Sequence, residues 1–456
     1  MNNFCLTAIS PIDGRYHKNT SILKNIFSEY AFLKFRIKIE ICWLKKLSSI
    51  PDVFQLPTFN ENTNKILSDI IKNFDYEDAK KIKEIEKSTC HDVKAIEYFL
   101  SQKISVKLND PTILNFIHFA CTSDDINNLA YAVMLKKTRS KVLIPYWKKI
   151  LLTIKDMAIN FQNVTILSRT HGQPATPSTV GKEMLNFYYR LYRQYNQLKN
   201  IIILGKFNGT VGNYNAHMTA YPLINWSEIS EEFVNSLGID WNPCTTQIEP
   251  HDYISEIFSC ICRFNTILIN FNQDIWGYIS LNYFKQKTKQ NEIGSSIMPH
   301  KVNPIDFEKS EGNLGLSNSI MNHMIAKLPI SRWQRDLTDS TILRNIGVTM
   351  GYSIIAYESL LIGLSKITVN FSELKNSLND KWVLLAEPIQ TMMRKYGISN
   401  GYEELKKITR GNYVDALIIS QYIENLNIPD YEKDRLKKIT PHNYIGDVIN
   451  IIQKNQ

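Results

Sequence analysis

Residues 251–284 read HDYISEIFSCICRFNTILINFNQDIWGYISLNYF, and their spacing sets the expected architecture. Ile254, Ile257, Phe258, Ile261, Phe264, Leu268, Phe271, Ile275 and Ile279 recur mostly at steps of three and four, which places them on one face of an α-helix. Only Gly277 interrupts the run, so one very long helix is expected from His251 to Phe284. Working outward, Pro304 to Lys327, stopped by Pro329, and Gly347 to about Lys366 predict two more. Upstream, Met184, Tyr188, Leu191, Tyr195 and Leu198 form one stripe of a helix over 179–204, read as core. Another helix runs from near Asn128 toward Ile159, broken or kinked at Pro145. Isoleucine is abundant everywhere, so its β-propensity carries little weight as strand evidence. The fold class expected is all-α, an elongated bundle.

Three helical domains follow from the punctuation: 1–112, a central long-helix domain 113–364, and 365–456. In the first, a turn at Asp13-Gly14-Arg15-Tyr16 precedes a helical run over 22–46. Pro51 and Pro57 break the chain, Asp75 starts a helix through Lys87, and Ser88-Thr89-Cys90-His91-Asp92 separates it from Val93–Leu100. Gly397, Gly401, Gly411, Pro429 and Pro441 cut the last domain into short helices. Long helices expose wide apolar stripes that one subunit can hardly cover, so the central domain is expected to build a larger bundle with other copies.

The 456 residues are 44% apolar, enough for a sizeable core, and carry a formal net charge of +9. That charge suits acidic partners, but the lysines are spread along the chain with no basic tail, so no nucleic-acid partner is expected. The seven cysteines, at 5, 42, 90, 121, 244, 260 and 262, show no CxxC spacing and read as reduced thiols. No signal-peptide pattern opens the chain and no window holds eighteen uninterrupted apolar residues, which argues for a soluble cytoplasmic protein without a membrane span.

The chemistry points first to Gly294-Ser295-Ser296-Ile297-Met298-Pro299-His300-Lys301-Val302-Asn303-Pro304. Two hydroxyls follow a glycine, and Asn303 and Pro304 read as the N-cap and first residue of a helix whose dipole points back at the loop. Such a loop can hold a carboxylate, although a polar helix cap is the plainer reading. His171 lies in Thr170-His171-Gly172-Gln173-Pro174-Ala175-Thr176-Pro177, a stretch of turn formers suited to a positioned general acid or base. Thr122 and Ser123 stand before Asp124-Asp125-Ile126 at a helix start, where hydroxyls and amides meet anions well.

The loop resembles the signature Gly-Ser-Ser-x-Met-Pro-x-Lys-x-Asn-Pro of the fumarase/aspartase superfamily at every fixed position. Together with Arg15-Tyr16, His91-Asp92, Thr122-Ser123-x-Asp125-Ile126 and the His171 stretch, the chain is similar over essentially its whole length to the bacterial adenylosuccinate lyase family. The resemblance implies β-elimination of fumarate from adenylosuccinate, giving AMP, and from the succinyl-carboxamide ribonucleotide of purine synthesis. It implies Ser295 as base and His171 as general acid. It also implies substrate contacts from His91, Asp92, Thr122, Ser123, Gln247, Ser296, Lys301 and Asn303, and phosphate contacts from Arg15, Tyr16, Arg335, Ser340 and Arg344. No metal or cofactor is implied, and the site is expected to draw segments from three subunits of a homotetramer. Cys90 departs from the asparagine or serine usual in the family. The alternatives are a sister lyase acting on argininosuccinate or aspartate, and a basic RNA-binding or scaffold protein that kept the fold.

Overall fold

The computed structural model describes residues 3–108, 110–287, 297–298 and 300–454. Helices dominate, and the strands among the described residues pair only as two-stranded ribbons of two or three residues each. The helices that position the site are α1 (Glu29–Ser48), α2 (Tyr76–Thr89), α3 (Asp92–Lys107), α4 (Ser123–Thr138), α5 (Ile144–Asn160), α6 (Val180–Asn200), α7 (Asp252–Ser280), α8 (Ile305–Lys327), α9 (Thr338–Leu343) and α10 (Ile346–Lys366). The all-α expectation therefore holds.

Several boundaries differ from the spacing, each for a local reason. The run over 22–46 forms two helices, Ser21–Phe27 and α1, because Ser28 is extended at ψ 157° and its hydroxyl accepts from the Ala31 amide at 3.1 Å. A capping serine satisfies an orphan N–H and restarts the helix. The interruption expected at Pro145 lies just ahead of it. A π-turn over Arg139–Leu143 links α4 to α5, and its wider bonding absorbs the strain around a residue that has no amide proton. The 251–284 run ends its helix at Ser280, and Phe284 instead pairs with Val369 in a short antiparallel ribbon. Helix α8 starts one residue later than the sequence suggests. The Pro304 carbonyl accepts from the Glu308 amide at 3.3 Å, so Pro304 holds the cap position, and Asn303 is pushed out of helical geometry by the ring that follows it.

The residues cluster into two compact units, one of Met1–Trp147, Gln194–Thr266 and Gly312–Glu358, the other of Lys148–Arg193, Ile267–Glu311 and Ser359–Gln456. In the first, Trp147 stacks flat on Phe264 with ring centroids 3.7 Å apart, and Trp43 packs among Phe207, Trp226 and Phe233. Asn265 on α7 sits at the hub of a buried polar ladder. It accepts from Tyr357 Oη at 2.6 Å and donates to Asn318 at 3.0 Å and Ser353 at 3.3 Å, while Ser317 and Thr349 bond each other beside it. In the second unit, Phe187 meets Phe271 edge-on, and Asn272 donates to Ser310 at 3.0 Å. The stripe on α6 is core only in its aliphatic members: Met184, Leu191 and Leu198 are buried, Tyr188 and Tyr195 half-buried, and Tyr189 and Tyr192 about 40% exposed.

Two segments, Asp252–Ser280 and Thr338–Lys366, are long and apolar enough to cross a membrane, but 61% and 67% of their most apolar windows are buried inside the protein. That is the behaviour of core helices. All seven cysteines are unpaired.

Gly181 fixes the approach of α6 to the end of α5 in the second unit. A Cβ there would lie 2.4 Å from the Ala158 carbonyl oxygen and 2.6 Å from Gln162 Cα. Because backbone cannot swing aside as a side chain can, Gly181→Ala is expected to destabilise by about 1–3 kcal/mol, read as a lower denaturant midpoint. Gly277→Ala, where the added methyl meets nothing within 4 Å, is the matched control.

Candidate active site

In the first unit the expected site residues group around two carboxylates. Asp92 opens α3 and receives the Arg36 guanidinium at 2.6 Å and Arg344 at 3.2 Å. Arg36, on α1, is 1% exposed. It also donates to Asn127 at 2.8 Å and lies over the Phe32 ring at 3.8 Å, with Arg344 on the same ring at 6.0 Å. Burial opposes ionisation of Asp92, but Arg36 and then Arg344 hold its carboxyl below the usual range. Arg344 also reaches Glu29 at 3.1 Å, and a cleft of about 320 Å³ opens beside it, walled by Asp13, Lys24 and Ser28.

His91 is the N-cap of α3: its Nδ1 accepts from the Lys94 amide at 3.1 Å, which leaves Nε2 as the N–H, while the ring stays exposed. Cys90, before it, closes α2 in the left-handed conformation at φ 52°. Asparagine tolerates that geometry better than other residues with side chains, so Cys90 holds a conformation that cysteine seldom adopts.

The second group surrounds the start of α4. The Thr122 amide donates to Asp125 at 2.8 Å. Asp125 is fully buried, and the same carboxylate takes the Lys206 ammonium at 2.8 Å and the Asn208 amide at 3.0 Å. This locks the Thr122–Ser123 corner from beneath. Arg335 lies 3.6 Å from Asp124, and Asp339 accepts from the Ser340 amide at 2.6 Å and meets His251 Nε2 at 3.4 Å. His251 is buried with φ 66°, a strained value for a residue with a side chain, and its amide donates to Glu249 at 2.7 Å. Gln247 donates to the Thr210 carbonyl at 2.9 Å. Arg15 is exposed in its turn, 5.9 Å from the Tyr16 ring.

In the second unit His171 sits at the tip of a hairpin whose strands are Arg169–Thr170 and Gln173–Pro174. His171 has φ 51° and Gly172 φ 75°, the paired positive values of a type I′ turn. Such turns favour Asn-Gly, so a histidine held there points to function more than to folding. Arg169 donates to the Gly172 carbonyl at 3.1 Å and stiffens the tip, leaving the imidazole exposed. Thr176, further along, donates to Glu387. Lys301 is exposed and Asn303 half-buried just ahead of α8, and Gln286 donates to the Val302 carbonyl at 2.9 Å. Ser295 and Ser296 lie outside the described residues. Glu308 accepts from Trp276 Nε1 at 3.1 Å.

A profile described as lyase matches residues 14–316, and one described as adenylosuccinate lyase C-terminal matches 331–445. The adenylosuccinate lyase of Buchnera aphidicola subsp. Acyrthosiphon pisum is 60% identical over 449 residues, 98% of each chain. The chain belongs to the adenylosuccinate lyase family. The Escherichia coli K12 adenylosuccinate lyase is 58% identical and that of Haemophilus influenzae 57%, each over 98% of both chains. Among solved structures, 3-carboxy-cis,cis-muconate lactonizing enzyme from Pseudomonas putida superposes with TM-score 0.74 at 16% identity, over 95% of this chain and 96% of its own. Fumarate lyase from Mesorhizobium sp. BNC1 gives 0.74 at 14%, over 95% and 97%. At those identities the likeness shows the shared fold alone. As a member of the adenylosuccinate lyase family the chain is a lyase.

Sequence reasoning missed Arg36, Lys206 and His251, the groups that hold others in place. Arg36 stands in an apolar helix among Leu33, Ile37 and Ile39, where periodicity registers it only as a gap. The available signal was a charge inside a hydrophobic face, which demands a buried partner.

Replacing Arg36 by methionine should lower stability by ~2–3 kcal/mol, less than the ~3–5 typical of a fully buried pair because Asp92 keeps some water. A denaturant series checks this.

His251 gives a pH test. Burial lowers its pKa, but Asp339, Asp124 and Glu249 outweigh burial and raise it. A raised folded pKa contributes stability that is complete below the unfolded value and fades as pH rises through the folded one. The stability difference between wild type and His251→Gln should therefore be largest at or below pH ~6.5 and shrink above it, measured by thermal unfolding across pH.

Proposed function

We propose that the protein catalyses β-elimination of fumarate from adenylosuccinate, giving AMP, and from the succinyl-carboxamide ribonucleotide of purine synthesis, with no metal or cofactor. The observation that carries this is the 60% identity to an adenylosuccinate lyase across 98% of both chains. The proton removed lies on a carbon next to a carboxylate. Its loss makes a dianionic aci-carboxylate, which needs donors and positive charge already in place. Lys301 and Asn303 beside the start of α8 supply them, with Ser296 in the same loop. Ser295 takes the proton as its alkoxide, its own hydroxyl proton having left to solvent before the loop closes around substrate, with the Lys301 ammonium balancing the charge.

His171 gives a proton to the departing purine nitrogen, a role suited to an imidazole that ionises near working pH. Its place on a stiffened, exposed turn supports this reading, because the ring is presented without its own folding duty. Arg344 and Arg335, with Arg15, Tyr16 and Ser340, hold the phosphate, for which a guanidinium fork is well matched. His91, Asp92, Thr122, Ser123 and Gln247 contact the rest of the substrate. Asp92 does so while pinned by Arg36, so it enters as a fixed acceptor and not as a proton carrier.

The active form is a cytoplasmic homotetramer in which each site takes segments from three subunits, and the three segments 1–112, 113–364 and 365–456 are its helical domains. The half-exposed tyrosines of α6 support burial of that face by another copy.

Purified protein should convert adenylosuccinate to AMP, followed by purine absorbance. His171→Ala and Ser295→Ala should each lower kcat by ~10²–10⁴, the usual contribution of a positioned acid or base. Full activity in either variant removes that residue from the mechanism. Sedimentation should give a tetramer, and mixing the two inactive variants should restore part of the activity through sites that receive both native residues.

A further inference from the structure

We propose that the first unit carries a second anion site, on the side of α1 away from Asp92, that takes a small molecule bearing linked phosphates. A cleft of about 420 Å³ opens there, lined by Asn25, Tyr30, Lys34, Phe35, Lys38 and Lys137 over Ala31 and Ile71. Three lysines line it, and no aspartate or glutamate does. Lys34 and Lys38 are four residues apart on one face of α1, where like charges repel. Arg36 lies between them in sequence, roughly 200° round the helix from Lys34, so the cleft is distinct from the Asp92 cluster.

A general excess of lysine does not explain the arrangement. Elsewhere in the same unit Lys46 pairs with Glu232, Lys83 with Glu29 and Glu86, Lys94 with Glu97, and Lys103 with Asp78. Lys34 and Lys38 make no ion pair or side-chain hydrogen bond among the described residues, although both are half-buried. Among the described residues Lys137 has only a 3.5 Å bond to the Asn25 carbonyl and the Phe35 ring at 5.5 Å. Burial, then Lys38 and Lys34, hold Lys137 below the usual lysine range, so a bound anion would offset both the repulsion and the cost of the partly buried charge.

The chemistry selects the ligand. Three compact, rotatable ammonium groups match the dense charge of adjoining phosphates better than a single carboxylate, and the volume admits a small molecule. Tyr30 is already committed, its hydroxyl to the Phe74 carbonyl at 2.7 Å and its ring to Phe74 and Tyr76. Phe35 is the wall left for an organic portion. Inorganic pyrophosphate and a nucleoside triphosphate share the recognised group.

The site can be tested by calorimetry on the full chain with inorganic pyrophosphate at low salt, with ATP in a parallel arm. Wild type should bind both, with affinity falling as salt rises. Lys34→Gln/Lys38→Gln should weaken binding at least tenfold, as should Lys137→Gln alone. Arg15→Gln, which removes a phosphate contact of the active site and is not part of the cleft lining, should keep the cleft's share of the binding. The lysine variants should melt no lower than wild type without ligand, because repulsion has been removed, and their lyase rate should be unchanged. The proposal fails if wild type does not bind pyrophosphate at millimolar concentration, if the lysine variants bind as wild type does, or if Arg15→Gln abolishes the heat. The measurement is of binding, so it stands or falls independently of the lyase reading.

Discussion

Long helices can bury a continuous apolar face only if they are held in one register, because a face of similar aliphatic side chains would allow sliding. The ladder around Asn265 supplies the constraint in the first unit. Asn265, Ser353 and Tyr357 are buried and share hydrogen bonds with one another and with half-buried Asn318, with Ser317 and Thr349 alongside. A shift of one residue along any of α7, α8 or α10 would leave several of these groups unpaired, at about 1–3 kcal/mol each. Polar register marks set among apolar contacts thus fix where the ends of the helices fall, and the loops that leave those ends inherit their positions.

The site follows the same logic of charge held by buried charge. Asp92 and Asp125 are each ionic neighbours of a cation deep in the fold, Arg36 and Lys206, and each lies at the start of a helix that carries expected substrate contacts. The buried cation fixes the carboxylate, the carboxylate fixes the helix start, and the residues at that start face outward in a defined arrangement. Replacing either cation would therefore act on the site through its supports. His171 is positioned by a different means, backbone geometry, where a turn with two positive φ values and a guanidinium clamp replace burial.

Much of this was legible in the residues. The three- and four-residue spacing of 251–284 gave the longest helix among the described residues, and Asp75, expected at a helix start, caps it by accepting from the Asp78 amide at 2.9 Å. The grouping of Asp92 with Arg344, and of Arg335 with the Ser123 corner, was not legible, because 252 residues separate the first pair in sequence and no spacing rule spans that distance. The break at Ser28, and the π form of the interruption expected at Pro145, were not legible because each depends on hydrogen bonds whose partners a pattern of apolar residues does not name.

By itself, then, the sequence determined the helical class, the long bundle helices, the signature residues of the loop at 294–304 and the family to which they belong, since each is written in local order and side-chain type. Only the tertiary structure decided which charges are buried, which carboxylate answers which arginine, and that Lys34, Lys38 and Lys137 share one cleft. Those outcomes depend on through-space distances between residues remote along the chain, and electrostatic and hydrogen-bond energies are set by distance and burial, which composition and periodicity do not encode.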